Sequence, residues 1–166
     1  MQPRWPERVS ISESPASDKR NRYGSAVTNG RSQRWQERDP WGLPVECAED
    51  VWEKKAQQHP EIVANEEAIR AALRNPDALY YDPDATAGLR NAGLPEGQRG
   101  AVMRYIGPGA VQTTHGLTPM LMSIAVKVLP TPEGHETGYV RTIFLTYRLP
   151  SRLQLQWRRT GWRLPV

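Results

Sequence analysis

The sequence predicts an α+β domain in which two short helices precede a series of β-strands. Apolar residues recur at helical spacing in residues 46–58 and again in residues 66–74, on either side of the corner His59-Pro60-Glu61. Beyond residue 77, apolar and β-branched residues concentrate in short runs separated by glycine and proline, which is typical of strands. Helices that are followed by strands, without alternation, favour the α+β class.

The two predicted helices have recognisable ends. The first is predicted to begin near Glu46 or Ala48 and to end at Gln58, because the residue before Pro60 avoids helical backbone angles. Asn65 is the predicted N-cap of the second helix, where its side chain would accept a hydrogen bond from an amide of the first turn.

Four strands are predicted after the helices, with long loops between them. The strands cover residues 78–82, 102–106, 120–129 and 139–148, and the loops cover residues 83–100 and 107–118. Residues 120–129 are almost continuously apolar, which indicates a central strand. Residues 153–158 alternate between apolar and polar, as either an edge strand or an extended arm would.

Charge and composition divide the chain into three parts. Residues 1–44 carry 8 basic and 5 acidic side chains and are predicted to form a flexible basic arm. Residues 45–150 form the predicted domain, with a net charge of −3, and residues 151–166 form a basic extension with arginine, tryptophan and a net charge of +4. Affinity for nucleic acid would therefore come from a local patch or from the two ends.

The sequence predicts neither a metal site nor a cofactor. A single cysteine, Cys47, excludes an internal disulfide, and the three histidines are widely separated. No apolar run approaches the ~20 residues that a membrane-spanning helix needs, and the N-terminus lacks the apolar stretch of a secretory signal. A cytoplasmic protein that does not contact a membrane is expected.

Polar and cationic side chains supply the candidates for chemistry. Cleavage of RNA without a metal needs a base for the 2′-hydroxyl, a cation for the charge on the phosphate and an acid for the departing 5′-oxygen. The side chains predicted to share these roles are Lys54, His59, Lys127, Arg141, Thr146 and Tyr147.

Several of these candidates also have a structural interpretation. Lys54 is either a catalytic cation or a solvated lysine on the first helix. His59 is either an acid–base group or a helix-end histidine that fixes the corner. Lys127 interrupts an apolar strand, so it is either paired with an acid or part of a wet cleft.

Strand alternation divides the last predicted strand into two faces. One face carries Arg141, Ile143, Leu145 and Tyr147, and the other carries Thr142, Phe144 and Thr146. Arg141 would be placed to clamp a phosphate, with Tyr147 or Thr146 in support. Ordinary solvation of a sheet face explains the same pattern.

A further group of arginines and tryptophans is predicted to bind nucleic acid. The group consists of Arg104, Arg158, Arg159, Arg163, Trp157 and Trp162. Arginine neutralises phosphates and tryptophan stacks on bases. The C-terminal members would equally serve to cover the domain's own edge strand.

Several of these segments resemble the phage-associated branch of the barnase–EndoU–colicin–RelE superfamily of ribonucleases and toxins. The matching pieces are Trp52 with His59-Pro60-Glu61, Glu67-Ala68-Ile69 with Leu73-Arg74-Asn75-Pro76-Asp77, and the segments 103–105, 124–128 and 143–147. The resemblance covers roughly residues 45–148 and leaves out both ends.

The resemblance implies two N-terminal helices on a four-stranded antiparallel sheet, flanked by extended arms. It also implies metal-independent endoribonuclease or toxin activity on RNA, for which tRNA is a candidate, and a protein inhibitor or partner. Relatives commonly carry a histidine where this chain has Lys54, which implies altered chemistry or a domain that binds without cutting. The alternative function is a non-catalytic protein of phage or mobile-element origin that contacts nucleic acid or a protein through its arms.

Overall fold

A computed structural model describes residues 31–91 and 100–164, which form one seven-stranded sheet with helices on both faces. The strands are β1 (Gln33–Arg38), β2 (Pro44–Ala48), β3 (Ala78–Tyr81), β4 (Ala101–Thr113), β5 (Gly116–Pro130), β6 (Glu136–Thr146) and β7 (Gln154–Arg158). The helices are α1 (Glu49–Gln58), α2 (Glu61–Ala64), α3 (Glu66–Arg74) and α4 (Pro83–Asn91). Across the sheet the strands follow the order β1-β2-β6-β5-β4-β3-β7.

The predicted plan of two helices on a four-stranded antiparallel sheet is wrong. The sheet has seven strands and is mixed, because β2 pairs in parallel with β6 through Val45–Gly138 and Glu46–Tyr139. The described residues contain four helices rather than two. The physical reason is that β1 and β2 join the sheet beside β6, a pairing between distant parts of the chain that local patterns do not reveal.

Strand β1 lies in the segment predicted as a flexible arm, of which residues 1–30 fall outside the described residues. Trp35 and Glu37 of β1 are buried while their neighbours are exposed, so this polar segment alternates as a strand does. Strand β2 occupies the predicted start of the first helix. Val45 and Cys47 of β2 pack in the core, and α1 begins only at Glu49.

Helices α1 and α3 match the two predicted helices, and α2 is an additional turn between them. Trp52 of α1 and Ile69 of α3 are buried in the core. Asn65 does not cap α3 with its side chain, contrary to the prediction. Its amide group instead donates to the carbonyl oxygens of Glu61 and Ala110 and accepts from the Ala110 amide, which ties α3 to β4. None of the helices in the described ranges is long and apolar enough to cross a membrane.

Both long loops predicted between the strands contain regular structure. Helix α4 begins at Pro83 inside the predicted loop 83–100, of which residues 92–99 lie outside the described residues. Asp82 caps α4, since its Oδ1 accepts from the Ala85 amide at 2.9 Å. The predicted loop 107–118 is the outer part of a β4–β5 hairpin that turns between Thr113 and Gly116.

The two faces of the sheet are covered differently. Helices α1, α2 and α3 cover one face, here called the helix face, with a continuous apolar core that includes Trp35, Ile124 and Ile143. The opposite face, here called the outer face, carries smaller apolar clusters. One lies beneath α4 around Ala125, and another lies beneath the C-terminal segment around Ile106. Much of the outer face is therefore left to polar side chains.

Candidate functional site

A polar cleft of about 610 Å³ opens where β2, β6 and β5 lie side by side. Its polar lining residues come from separate parts of the sequence: Arg31, Ser32, Gln33, Glu46, Lys127, Tyr139 and Arg141. Its apolar walls are Ala48, Val51, Leu129 and Val140. Three of the polar side chains are cations and one is a carboxylate. Arg31 is paired with Asp50 at 3.5 Å, so Lys127 and Arg141 are the cations that make this outer cleft, as we call it, favourable for an anionic ligand.

Strand register places Glu46, Tyr139 and Lys127 in one row across the outer cleft. Tyr139 pairs with Glu46 of β2 on one side and with Lys127 of β5 on the other. The adjacent strand residues Val45 and Val126 are fully buried in the core of the helix face. Because side chains alternate along a strand, the row points to the outer face.

A β-bulge in β6 brings Arg141 into the outer cleft. On β5, Ala125 pairs with Thr142 and Val126 pairs with Val140, so Arg141 is an extra residue without a partner on β5. Val140 and Ile143 both pack in the core, which regular alternation would forbid. The prediction that Arg141 shares a face with Ile143 is therefore wrong. Bulges redirect side chains in this way, and they are frequent beside active sites.

The groups in the outer cleft influence each other's protonation. Burial, followed by the Arg141 guanidinium, lowers the pKa of Lys127. Burial, followed by the Glu46 carboxylate, raises the pKa of Tyr139, so the phenol keeps its proton at neutral pH. An anion bound between Lys127 and Arg141 would relieve the repulsion between these two cations and form charge-assisted hydrogen bonds.

Two of the predicted catalytic residues, Lys127 and Arg141, meet in the outer cleft. Lys54 does not line the cleft. It is exposed on α1, one helical turn beyond Val51, which does line it.

The other predicted catalytic residues lie outside the outer cleft. His59 is the C-cap of α1, and its Nδ1 lies 3.4 Å from the Glu61 carboxylate. Thr146 makes two hydrogen bonds with the backbone of Arg148. Tyr147 follows the end of β6 and is 64% exposed.

Arg104, predicted to contact nucleic acid, is held in an ion pair on the outer face. Its Nε donates to Asp82 Oδ2 at 2.6 Å, and only 12% of the Arg104 side chain and 7% of the Asp82 side chain are exposed. Its Nη1 donates to Ser123 Oγ at 3.4 Å, and its guanidinium carbon lies 5.3 Å from the centre of the Phe144 ring. Arg104 is thus held by protein groups on several sides.

The two C-terminal tryptophans pack against the domain itself. Trp157 of β7 makes an edge-to-face contact with Trp41, with ring centres 5.3 Å apart. Trp162 packs on the outer apolar cluster that contains Ile106. These contacts match the interpretation in which the C-terminal residues cover the domain's own sheet.

The C-terminal arginines are divided between internal contacts and solvent. Arg159 donates to the carbonyl oxygen of Asn75 at 2.9 Å and lies 3.5 Å from the Asp77 carboxylate. Arg158 and Arg163 are exposed. A partner can therefore contact Arg158 and Arg163 without breaking the contacts that Arg159 makes with Asn75 and Asp77.

Sequence reasoning missed Glu46 and Tyr139 as members of a site. Glu46 is assigned to the start of the predicted first helix, although the alternation of Val45, Glu46 and Cys47 is a short strand signal. Tyr139 opens a predicted strand, and its position beside Glu46 arises from a pairing between distant segments. Arg31 lies in the predicted arm.

Within residues 31–91 and 100–164, no three His, Cys, Asp or Glu side chains are grouped as metal ligands would be. No protein-family profile, curated protein or solved structure matches the chain. The resemblance to the barnase–EndoU–colicin–RelE superfamily therefore stays a prediction, and the outer cleft is the main basis for a functional conclusion.

Proposed function

We propose that the chain is a metal-independent endoribonuclease and that the outer cleft holds the scissile phosphodiester. One observation supports the proposal above all: the cations Lys127 and Arg141 line the same cleft as the Glu46 carboxylate and the Tyr139 phenol. These are the kinds of group that cleavage of a phosphodiester without a metal requires.

Each group has a role in a transesterification. The Glu46 carboxylate accepts the proton of the 2′-hydroxyl, whose oxygen attacks the adjacent phosphorus. Lys127 and Arg141 stabilise the negative charge that grows on the phosphate oxygens. The Tyr139 phenol gives its proton to the 5′-oxygen as the bond from phosphorus to that oxygen breaks. The products are a 2′,3′-cyclic phosphate and a free 5′-hydroxyl.

The register of the sheet agrees with this division of roles. Tyr139 lies between Glu46 and Lys127, so a base and a cation flank the acid on neighbouring strands. Lys54 and His59 have no part in the reaction proposed for the outer cleft. Toxin activity, a tRNA target and a protein inhibitor are expectations that follow from the resemblance alone.

The test is cleavage of a labelled single-stranded RNA oligonucleotide by the full chain in EDTA, with protein in excess. Arg141→Ala and Lys127→Ala are each expected to slow cleavage by about 100-fold or more, as loss of a group that stabilises transition-state charge does. Glu46→Gln is expected to slow it by about 10²- to 10⁴-fold. An oligonucleotide with 2′-deoxy sugars should not be cleaved, because the attacking oxygen is missing.

The matched control is the double variant Lys54→Ala/His59→Ala, which removes predicted cationic groups outside the cleft. Cleavage by this variant should equal that of the wild type. If it abolishes cleavage while Arg141→Ala and Lys127→Ala leave the rate unchanged, the assignment of the reaction to the outer cleft is wrong.

A non-catalytic protein that binds nucleic acid through its basic ends is the second candidate. It is favoured by the C-terminal part of the sequence, which contains no acidic residue after Glu136 and exposes Arg158 and Arg163. This candidate predicts RNA binding without cleavage, and loss of that binding in Arg158→Ser/Arg163→Ser. Cleavage by the wild type that depends on Arg141 would reject it.

A further inference from the structure

We propose that Phe144 is a base-stacking subsite for single-stranded RNA whose phosphate lies in the outer cleft. The inference rests on the proposed function, because it concerns the same substrate. It adds a second point of contact on β6 and a requirement for an unpaired base.

Phe144 lies on the outer face without an apolar partner cluster. It pairs with Ser123 of β5, and its strand neighbours Ile143 and Leu145 pack against the core of the helix face. Phe144 itself belongs to none of the three apolar clusters among the described residues, and its side chain is only half-buried. It is the only phenylalanine in the chain. An aromatic ring on an open sheet face beside a cationic cleft is a common arrangement for stacking single-stranded bases.

The guanidinium of Arg104 restrains the Phe144 ring. The Arg104 guanidinium carbon lies 5.3 Å from the ring centre, and Asp82 and Ser123 hold the guanidinium in place. A ring that is already held loses little conformational freedom when a base stacks on it, so binding is favoured. Arg104 then contributes by positioning Phe144 rather than by binding phosphate.

The separation of the two contacts indicates the size of the ligand. Lys127 beside the cleft and Ser123 beside Phe144 are both on β5, four residues and thus about 13 Å apart. A phosphate between Lys127 and Arg141 and a base on Phe144 therefore belong to one ligand only if that ligand is longer than a mononucleotide. The flat stack also requires a base that is not paired in a duplex.

The experiment measures binding of a fluorescent 2′-O-methyl octauridylate, whose blocked 2′-oxygen prevents cleavage. In one set of ligands, each base in turn is replaced by an abasic sugar. With the wild type, one abasic position should weaken binding by about 5- to 100-fold, the range for one stacked base. Phe144→Leu should bind the intact oligomer more weakly than the wild type does, by the same factor. For this variant, the abasic sugar at that position should weaken binding no further.

Three controls keep the outcome decisive. Phe144→Tyr keeps the aromatic ring and should bind the oligomer as the wild type does. Tyr147→Leu removes an exposed aromatic side chain beyond the end of β6 and should leave the affinity for the oligomer unchanged. Competition by inorganic phosphate should be equal for the wild type and Phe144→Leu, because the cleft is intact. If Phe144→Leu is not folded, Phe144→Met replaces it. If abasic positions weaken binding equally in the wild type and in Phe144→Leu while phosphate still competes, the stacking inference is wrong and the assignment of the cleft stands. If phosphate does not compete with the oligonucleotide for the wild type, the proposed function is wrong.

Discussion

Ile124 and Lys127 lie three residues apart on β5, yet they belong to different surroundings. Ile124 is fully buried in the core of the helix face, whereas Lys127 lines the outer cleft beside a second cation. The same division runs across the sheet, because the helix face holds the continuous core and the outer face holds small clusters, an ion pair and the cleft. Substitutions of residues that line the cleft should therefore alter ligand contact, whereas substitutions in the helix-face core or in the Asp82–Arg104 ion pair should alter stability.

The largest effect on stability should come from Asp82→Ala. This variant tests whether the Asp82–Arg104 ion pair on the outer face stabilises the fold. Without its carboxylate, the Arg104 charge stays largely buried without its partner, and α4 loses its cap. The free energy of unfolding should fall by about 3–5 kcal/mol. Urea denaturation followed by circular dichroism measures it. Asp84→Ala is the control, since its pair with Arg152 is exposed and its removal should change the free energy by less than about 0.5 kcal/mol. Equal losses in the two variants would contradict a structural role for the Asp82–Arg104 pair.

Ile124→Ala should destabilise the helix face while leaving the outer face as it is. Ile124 is fully buried on the central strand β5, and a cavity of this kind lowers the free energy of unfolding by about 2–5 kcal/mol. At temperatures where the variant is folded, its affinity for the octauridylate should match that of the wild type. Weaker binding by the folded variant would show that the two faces are not separable.

Lys127→Met is the counterpart on the same strand. Burial and Arg141 lower the pKa of Lys127 in the folded protein, so its charged form is disfavoured by folding. Stability should therefore rise slightly at neutral pH and should match the wild type above the ordinary pKa of 10.5, where the lysine is neutral in both states. Denaturation at the two pH values checks this, and RNA binding should fall in parallel. A loss of stability at neutral pH would mean that Lys127 supports the fold.

The smallest effect should be the pH dependence contributed by Glu66 at the edge of the helix face. A hydrogen bond from Arg34 is the main cause that lowers the pKa of Glu66 below its ordinary value of 4.5. A lowered pKa means that the ionised group stabilises the fold above pH 4.5 and that this contribution is lost as pH falls through the folded-state pKa. Glu66→Gln should thus be less stable than the wild type at neutral pH, and the difference should vanish in acid. If the difference in stability between Glu66→Gln and the wild type stays the same in acid, the charge of Glu66 is not its cause.

Elements with a strong local pattern could be predicted from the sequence. The spacing around Trp52 and Ile69 predicts α1 and α3, and the apolar run 120–129 lies inside β5. Helix α4 was missed although Asp82 followed by Pro83 is a start signal, because the glycine-rich composition downstream favoured a loop.

The mixed topology depends on pairings that no local pattern reports. Strand β1 has charged residues at half its positions and becomes a strand because Trp35 and Glu37 find burial beneath α3 and its neighbours. The parallel contact of β2 with β6 joins two segments that are far apart in the sequence, as the pair Val45–Gly138 shows.

The candidate site could be predicted only in part for the same reason. Lys127 is conspicuous in an apolar strand, so its presence in a wet cleft follows from the cost of burying a charge. Glu46 and Tyr139 become neighbours through the β2–β6 pairing alone. The position of Arg141 depends on a bulge, and alternation applied to the sequence gives the opposite face.

Arg141 is one residue more than β6 needs in order to pair regularly with β5. If it were deleted, Val140, Thr142 and Ile143 would alternate without interruption, and the ladder of hydrogen bonds would close behind the missing guanidinium. Loss of a single codon would thus remove the guanidinium from the cleft and leave β6 regularly paired with β5. In homologues, the gain or loss of the proposed site would then show as a one-position gap in an alignment, and a comparison of substituted residues alone would not find it.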